Sequence, residues 1–105
     1  MTLEEFKNIL SSTGLPVAYL AFPETQAPQM PFIVYQETGS HNAGADNKVW
    51  FSATRIQVDL LTRRRSRTTE VILEQALEDT GIYWERVPDY DEDQDYYRVT
   101  YEMEI

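Results

Sequence analysis

The chain has 105 residues and no cysteine, and its nine basic and eighteen acidic residues give a net charge of -9. One domain spanning residues 1–105 is large enough to bury roughly 60 to 68% of its unfolded surface, and without thiols it has neither a disulfide framework nor a thiolate metal site, as fits a reducing cytoplasm. The field of the whole molecule repels nucleic acid and anionic lipid, the start Thr2-Leu3-Glu4-Glu5-Phe6 carries acid where a secretory signal carries base, and no apolar run approaches the ~20 residues that span a bilayer.

Thr2 and Glu5 have capping-box spacing, so a helix is expected to start there. Leu3, Phe6, Ile9 and Leu10 form its apolar side until Gly14 and Pro16 stop it. Val17 to Phe22 reads as a short strand buried on both faces. Pro23, Pro28 and Pro31 impose an irregular connection, because none can donate to a ladder. Phe32 to Thr38 resumes as strand. The polar run Gly39 to Asn47 is too long for a tight turn and is expected to project as a mobile arm carrying His41, Asn42, Asp46 and Asn47.

Val49 to Thr62 is the longest expected strand, with Ile56, Val58 and Leu60 on one face and Arg55, Gln57 and Asp59 on the other. A helix over Arg67 to Thr80 follows, capped by Ser66, with Ile72, Leu73, Ala76 and Leu77 inward and Gly81 at its end. Ile82 to Val87 reads as strand and Pro88 to Asp95 as turn. In the last strand, Tyr96 to Ile105, Tyr97, Val99, Tyr101, Met103 and Ile105 alternate with Arg98, Thr100, Glu102 and Glu104. The order α-β-β-β-α-β-β predicts an α+β domain, two helices laid on a mainly antiparallel or mixed sheet of about five strands.

Residues of catalytic type are sparse. His41 lies beside Ser40 and before Asp46, the types of a base, nucleophile and orienting acid, but a Gly-rich loop is a poor scaffold for a triad and a solvated histidine is the expectation. Asp89, Asp91, Asp93 and Asp95 alternate like the first ligands of a calcium loop, yet counting from Asp91 the glycine of position six is replaced by Tyr96. A solvated acidic turn is expected, with no metal and no cofactor. Nothing in the pattern supports an enzyme.

Charge is concentrated at Arg63, Arg64, Arg65 and Arg67, which hold four of the nine basic residues. A plain exposed linker gains nothing from four like charges. Phosphate contact suits arginine, but no aromatics interleave the cluster, which makes nucleic acid an unfavoured partner. The favoured reading is a subunit contact, in which the cluster meets the acidic turn Asp89 to Asp95, or the adjacent Glu85, on a neighbouring copy. Tyr83, Trp84, Tyr90, Tyr96, Tyr97 and Tyr101 crowd the last quarter of the chain; about half are expected in the core and the rest outside, as interface anchors.

Several blocks, taken in order, resemble one family: Tyr19-Leu20-Ala21-Phe22-Pro23-Glu24, Pro31-Phe32-Ile33-Val34-Tyr35, Ala45-Asp46-Asn47-Lys48 and Asp59-Leu60-Leu61-Thr62, then a helix with Glu70 and Glu74, an aromatic Tyr83-Trp84 segment and a closing Tyr101-Glu102-Met103-Glu104 strand. They look like the tail-completion proteins of long-tailed phages and prophages, the tail terminator or tail-to-head joining group. The resemblance implies a structural protein that caps the tail or joins it to the head connector as a homo-oligomeric ring of about six copies. Its implied partners are itself, the tail tube protein and the head connector, and its implied places are the host cytoplasm during assembly and then the virion. The alternative is a small regulatory or nucleic-acid-binding module contacting phosphates through Arg63 to Arg67.

Overall fold

The computed structural model describes every residue except Glu24, Asp46 and Asn47, and for Ala43, Ala45, Val49, Trp50 and Phe51 it describes the backbone alone. The first helix, α1 (Leu3–Ser11), begins where Thr2 Oγ1 accepts the Glu5 amide at 3.1 Å and donates to the Glu5 carboxylate at 3.2 Å. Gly14 at φ +82° turns the chain out of it. Strand β1 (Val17–Tyr19) is shorter than expected because Leu20 adopts φ 66°. It is also not buried on both faces: it forms one edge of the sheet, and Tyr19 is exposed.

After the proline-bounded connection come β2 (Phe32–Ala45), β3 (Lys48–Thr62), α2 (Arg67–Glu78), β4 (Trp84–Asp91) and β5 (Tyr96–Glu104). The five strands form one mixed sheet in the order β1-β2-β3-β5-β4, in which only β1 and β2 run parallel. This is the α+β architecture and element order that the sequence implies. Ser66 Oγ caps α2 by accepting the Thr69 amide at 3.2 Å.

The period of two in β2, β3 and β5 delivers Ile33, Tyr35, Ile56, Val58, Leu60, Val99, Tyr101 and Met103 to one face of the sheet. Phe6 and Leu10 of α1 and Leu73 and Leu77 of α2 close over that face to make the core. Ile72, expected inward, is exposed. The inward line on α2 is instead Glu70, Leu73 and Leu77, at helical spacing. The opposite face is open and mostly polar, with cross-strand rows Gln36–Gln57–Glu102–Glu85 and Val34–Asp59–Thr100–Val87.

Besides β1, α2 ends at Glu78 and not Thr80 and β4 begins at Trp84 and not Ile82, and two further boundaries differ more. Strand β4 continues through Pro88 to Asp91, a place open to proline because β4 is the other edge of the sheet. The polar run after Thr38 is ladder, not irregular chain: Gly39 to Ala45 pair with Arg55 to Lys48, with register shifts between Glu37 and Gly39 and between Ala43 and Gly44. The pair β2–β3 thus continues past the rest of the sheet as a hairpin. Fifteen residues of β3 at ~3.3 Å each account for nearly the whole 50 Å long axis. The radius of gyration is accordingly 15.0 Å, against about 13 Å for a compact domain of this size.

Candidate assembly surfaces

The four arginines do not act as one patch. Arg65 and Arg67 fold back onto α2: Arg67 reaches Glu70 at 2.8 Å and Glu74 at 2.9 Å, and Arg65 approaches Glu70 at 3.4 Å. Glu74 also takes Arg86 of β4 at 2.9 Å and the Tyr101 hydroxyl of β5 at 2.8 Å, so one carboxylate ties α2 to two strands. Burial by itself pushes the Glu74 carboxyl up, but hydrogen bonds from Arg67, Tyr101 and Arg86 outweigh it and hold the group below its ordinary value. Burial, and then its bond to Glu74, pushes the Tyr101 phenol up, while bonds to Glu74 and Glu70 raise Arg67. The spacing Arg67–Glu70–Glu74 makes half of this network legible in sequence. Arg86 and Tyr101 carry no such local signal.

Arg63 and Arg64 behave differently. Arg63 donates to the Gln94 carbonyl at 3.4 Å, and among the described residues neither arginine has a carboxylate within ion-pair distance. Both line a small hollow with Tyr90, Asp95 and Tyr97 of the same chain. The pairing of Thr62 with Tyr97 brings the end of β3 beside the β4–β5 turn.

The acids of that turn have internal work. Asp91 accepts the Asp93 and Gln94 amides at 3.0 and 3.1 Å, Asp95 takes the Tyr90 hydroxyl at 2.6 Å and itself sits at φ 53°, and Asp89 faces Arg98 at 3.7 Å. Asp93 is exposed. Hydrogen bonding to Asp95 raises the Tyr90 phenol. Among the described residues no three carboxylate or histidine groups are placed to hold a metal ion.

At the other end of the open face lies a concavity of about 650 Å³, lined by Thr38, Arg55, Tyr83, Glu85, Glu102 and Glu104 among others. Glu85 and Glu102 stand directly opposite in the β4–β5 ladder. Tyr83 is 77% exposed and donates to Glu85 at 2.8 Å. Arg55 lies 3.7 Å from Glu104, and His41 Nδ1 lies 3.2 Å from both Glu104 oxygens, which holds the root of the hairpin against β5.

Of the expected arm residues, His41 and Asn42 are exposed members of β2 paired with Ala53 and Ser52, while Asp46 and Asn47 lie outside the described residues. Ser40 and His41 are consecutive in a strand and point to opposite faces, the wrong disposition for a nucleophile and its base. Of the aromatics, Tyr101 is in the core, Trp84, Tyr96 and Tyr97 are half-buried, and Tyr83 and Tyr90 are exposed. The sequence reading missed Glu70 and Glu74 as partners of the arginines.

No protein family matches the sequence, and no curated protein does. Among solved structures, the fold is similar to that of a chain from the virion of a native gene transfer agent particle, with a TM-score of 0.63 and 14% identity over 97% of this chain and 85% of that one.

Proposed function

We propose that this chain is a structural component of a virion, which completes the tail and joins it to the head connector as a ring of identical copies. What carries the reading is the likeness of fold to a virion chain, which runs nearly end to end. Two features of the molecule fit it. Charge is segregated on the surface, so one copy can meet the next through unlike patches, and a heterologous contact that closes on itself makes a ring. The hairpin projects beyond the core and offers a neighbouring protein, tail tube or connector, two strand edges to contact.

The alternative of phosphate binding through Arg63 to Arg67 is weakened by the engagement of Arg65 and Arg67 with Glu70 and Glu74. Tight DNA binding that falls steeply with salt would revive it.

Deleting the gene from its genome and imaging the particles tests the proposal. Unjoined heads and tails, with tails of irregular length, are the expected result, and antibody against the chain is expected to label one end of the complete tail. Joined particles of normal length that lack the chain would overturn it.

A further inference from the structure

Two charged patches on the sheet each hold groups that make no ion pair among the described residues, Arg63 and Arg64 in one and Glu85 and Glu102 in the other. One is the pair Arg63 and Arg64, which have no ion pair beside the acidic turn, where Asp89, Asp91 and Asp95 are engaged elsewhere and Glu92 and Asp93 are exposed. The other is the concavity at the far end of the open face. There Glu85 and Glu102 face each other directly, a juxtaposition of like charges that costs stability. Glu104 adds a third carboxylate, and Arg55, shared with it at 3.7 Å, is the one cation lining the hollow among the described residues.

The two patches cannot meet within one chain. Glu102 lies opposite Gln57 and the arginines follow Thr62, which places them roughly 17 Å apart along β3 at ~3.3 Å per residue. That is further than an arginine side chain reaches.

We infer that the Glu85–Glu102 concavity is the seat for Arg63 and Arg64 of a second copy. The inference rests on the ring reading above and names its contact. Guanidinium groups match carboxylates in paired hydrogen bonds and stack on aromatic faces, and Tyr83 stands exposed beside Glu85 to receive one. A cation between Glu85 and Glu102 relieves their repulsion. Because the donor patch and the seat are different surfaces, roughly 17 Å apart along β3 at ~3.3 Å per residue, the contact is head-to-tail and propagates from copy to copy, the kind that closes into a ring. Of the two partners that the sequence offered, the acidic turn Asp89 to Asp95 and the adjacent Glu85, this seat takes Glu85.

A charge exchange between copies tests the contact by sedimentation at low ionic strength. Arg63→Glu with Arg64→Glu in one variant, and Glu85→Lys with Glu102→Lys in another, each bring like charges together at the contact. Each is expected to self-associate about tenfold or more weakly than the natural chain. An equimolar mixture restores association, because every contact in it can pair unlike charges. A single chain that carries Arg63→Glu and Arg64→Glu together with Glu4→Lys and Glu37→Lys, exposed positions outside both patches, has the natural net charge and does not recover association. The positions are exposed, and recovery in the mixture shows that both variants are folded. A natural chain that stays monomeric throughout, or a mixture that associates no better than its components, would overturn the inference. The virion reading would survive that result, since it falls only if particles form normally without the chain.

Discussion

Strands β2 and β3 pass through two environments. From Phe32 to Glu37, opposite Leu61 to Ile56, they are flanked by β1 and β5 and roofed by both helices; from Gly39 to Ala45, opposite Arg55 to Lys48, β1 no longer flanks them and β5 reaches only Arg55 and Thr54, through Glu104 and Ile105. The backbone ladder runs through both, with register shifts between Glu37 and Gly39 and between Ala43 and Gly44. In the first region Ile33, Tyr35, Ile56, Val58 and Leu60 are buried, whereas in the second His41, Asn42, Gly44 and Ser52 are exposed and the small Ala53 is buried. A ladder hydrogen bond contributes only about 0.5–1.5 kcal/mol net, because water competes for it, while removing apolar surface from water contributes about 25 cal/mol per Å². A two-stranded hairpin is marginal by itself. Stability therefore resides in the roofed region, and the hairpin is left with open strand edges for a partner to cover.

The sharpest way to break this comparison is to remove part of the roofed sheet. Truncation after Arg98 deletes Val99, Tyr101 and Met103, all buried, each worth about 1.5–3 kcal/mol against a total stability of about 5–15 kcal/mol. The shortened chain is expected to show no cooperative thermal transition. A transition near that of the intact chain would make β5 dispensable and the comparison false.

Next in size is Glu74, whose side chain is 12% exposed and joins α2 to β4 and β5. Glu74→Ala is expected to cost about 1.5–3 kcal/mol in denaturant unfolding, nearer the lower figure because Arg67 and Arg86 reach solvent. The same group sets an acid limit. Its native carboxyl is held below the ordinary 4.5, so its contribution is complete above that pH and is lost as pH falls through the depressed native value. Stability measured downward from pH 5 is expected to fall less steeply in Glu74→Gln than in the natural chain.

Tyr101→Phe keeps the buried ring and removes only its hydroxyl bond to Glu74. About 1 kcal/mol is expected, since Arg67 and Arg86 still satisfy the carboxylate.

The smallest stability effect is expected in the hairpin. Replacing residues 42–52 by a two-residue turn, which keeps the buried Ala53 and the contact of His41 with Glu104, is expected to change unfolding free energy by less than about 1 kcal/mol while abolishing incorporation into particles. Amide exchange sharpens the same contrast: Gly39 to Ala45 are expected to exchange by local opening in the isolated chain, and Ile33, Tyr35, Val58 and Leu60 only on global unfolding. Equal protection of both regions would show that the hairpin belongs to the same cooperative unit.

Elements whose determinants lie within a few residues are legible in the amino-acid sequence. The capping contact of Thr2 with Glu5, the cap at Ser66 and the alternation of β5 are local, and the structure reproduces each, while α2 ends at Glu78, two residues before the expected Thr80, and Gly81 at φ +73° lies in the turn that follows. Where one residue's place depends on a distant strand, the sequence misleads. Val17 to Tyr19 is apolar yet lies on an edge, and Gly39 to Ala45 has no apolar period yet forms a ladder because β3 lies opposite it.

Neighbouring residues thus dictate the α+β class, the number and order of the elements and most of the core, because capping, turn chemistry and period-two patterning are properties of short stretches of chain. Which charges are available to a partner is settled only when the chain folds. Four arginines adjacent in sequence separate into two that reach Glu70 and Glu74 and two that do not, since salt-bridge partners are chosen by what the fold brings within a few ångströms. Glu85 and Glu102, distant in sequence, become cross-strand neighbours for the same reason.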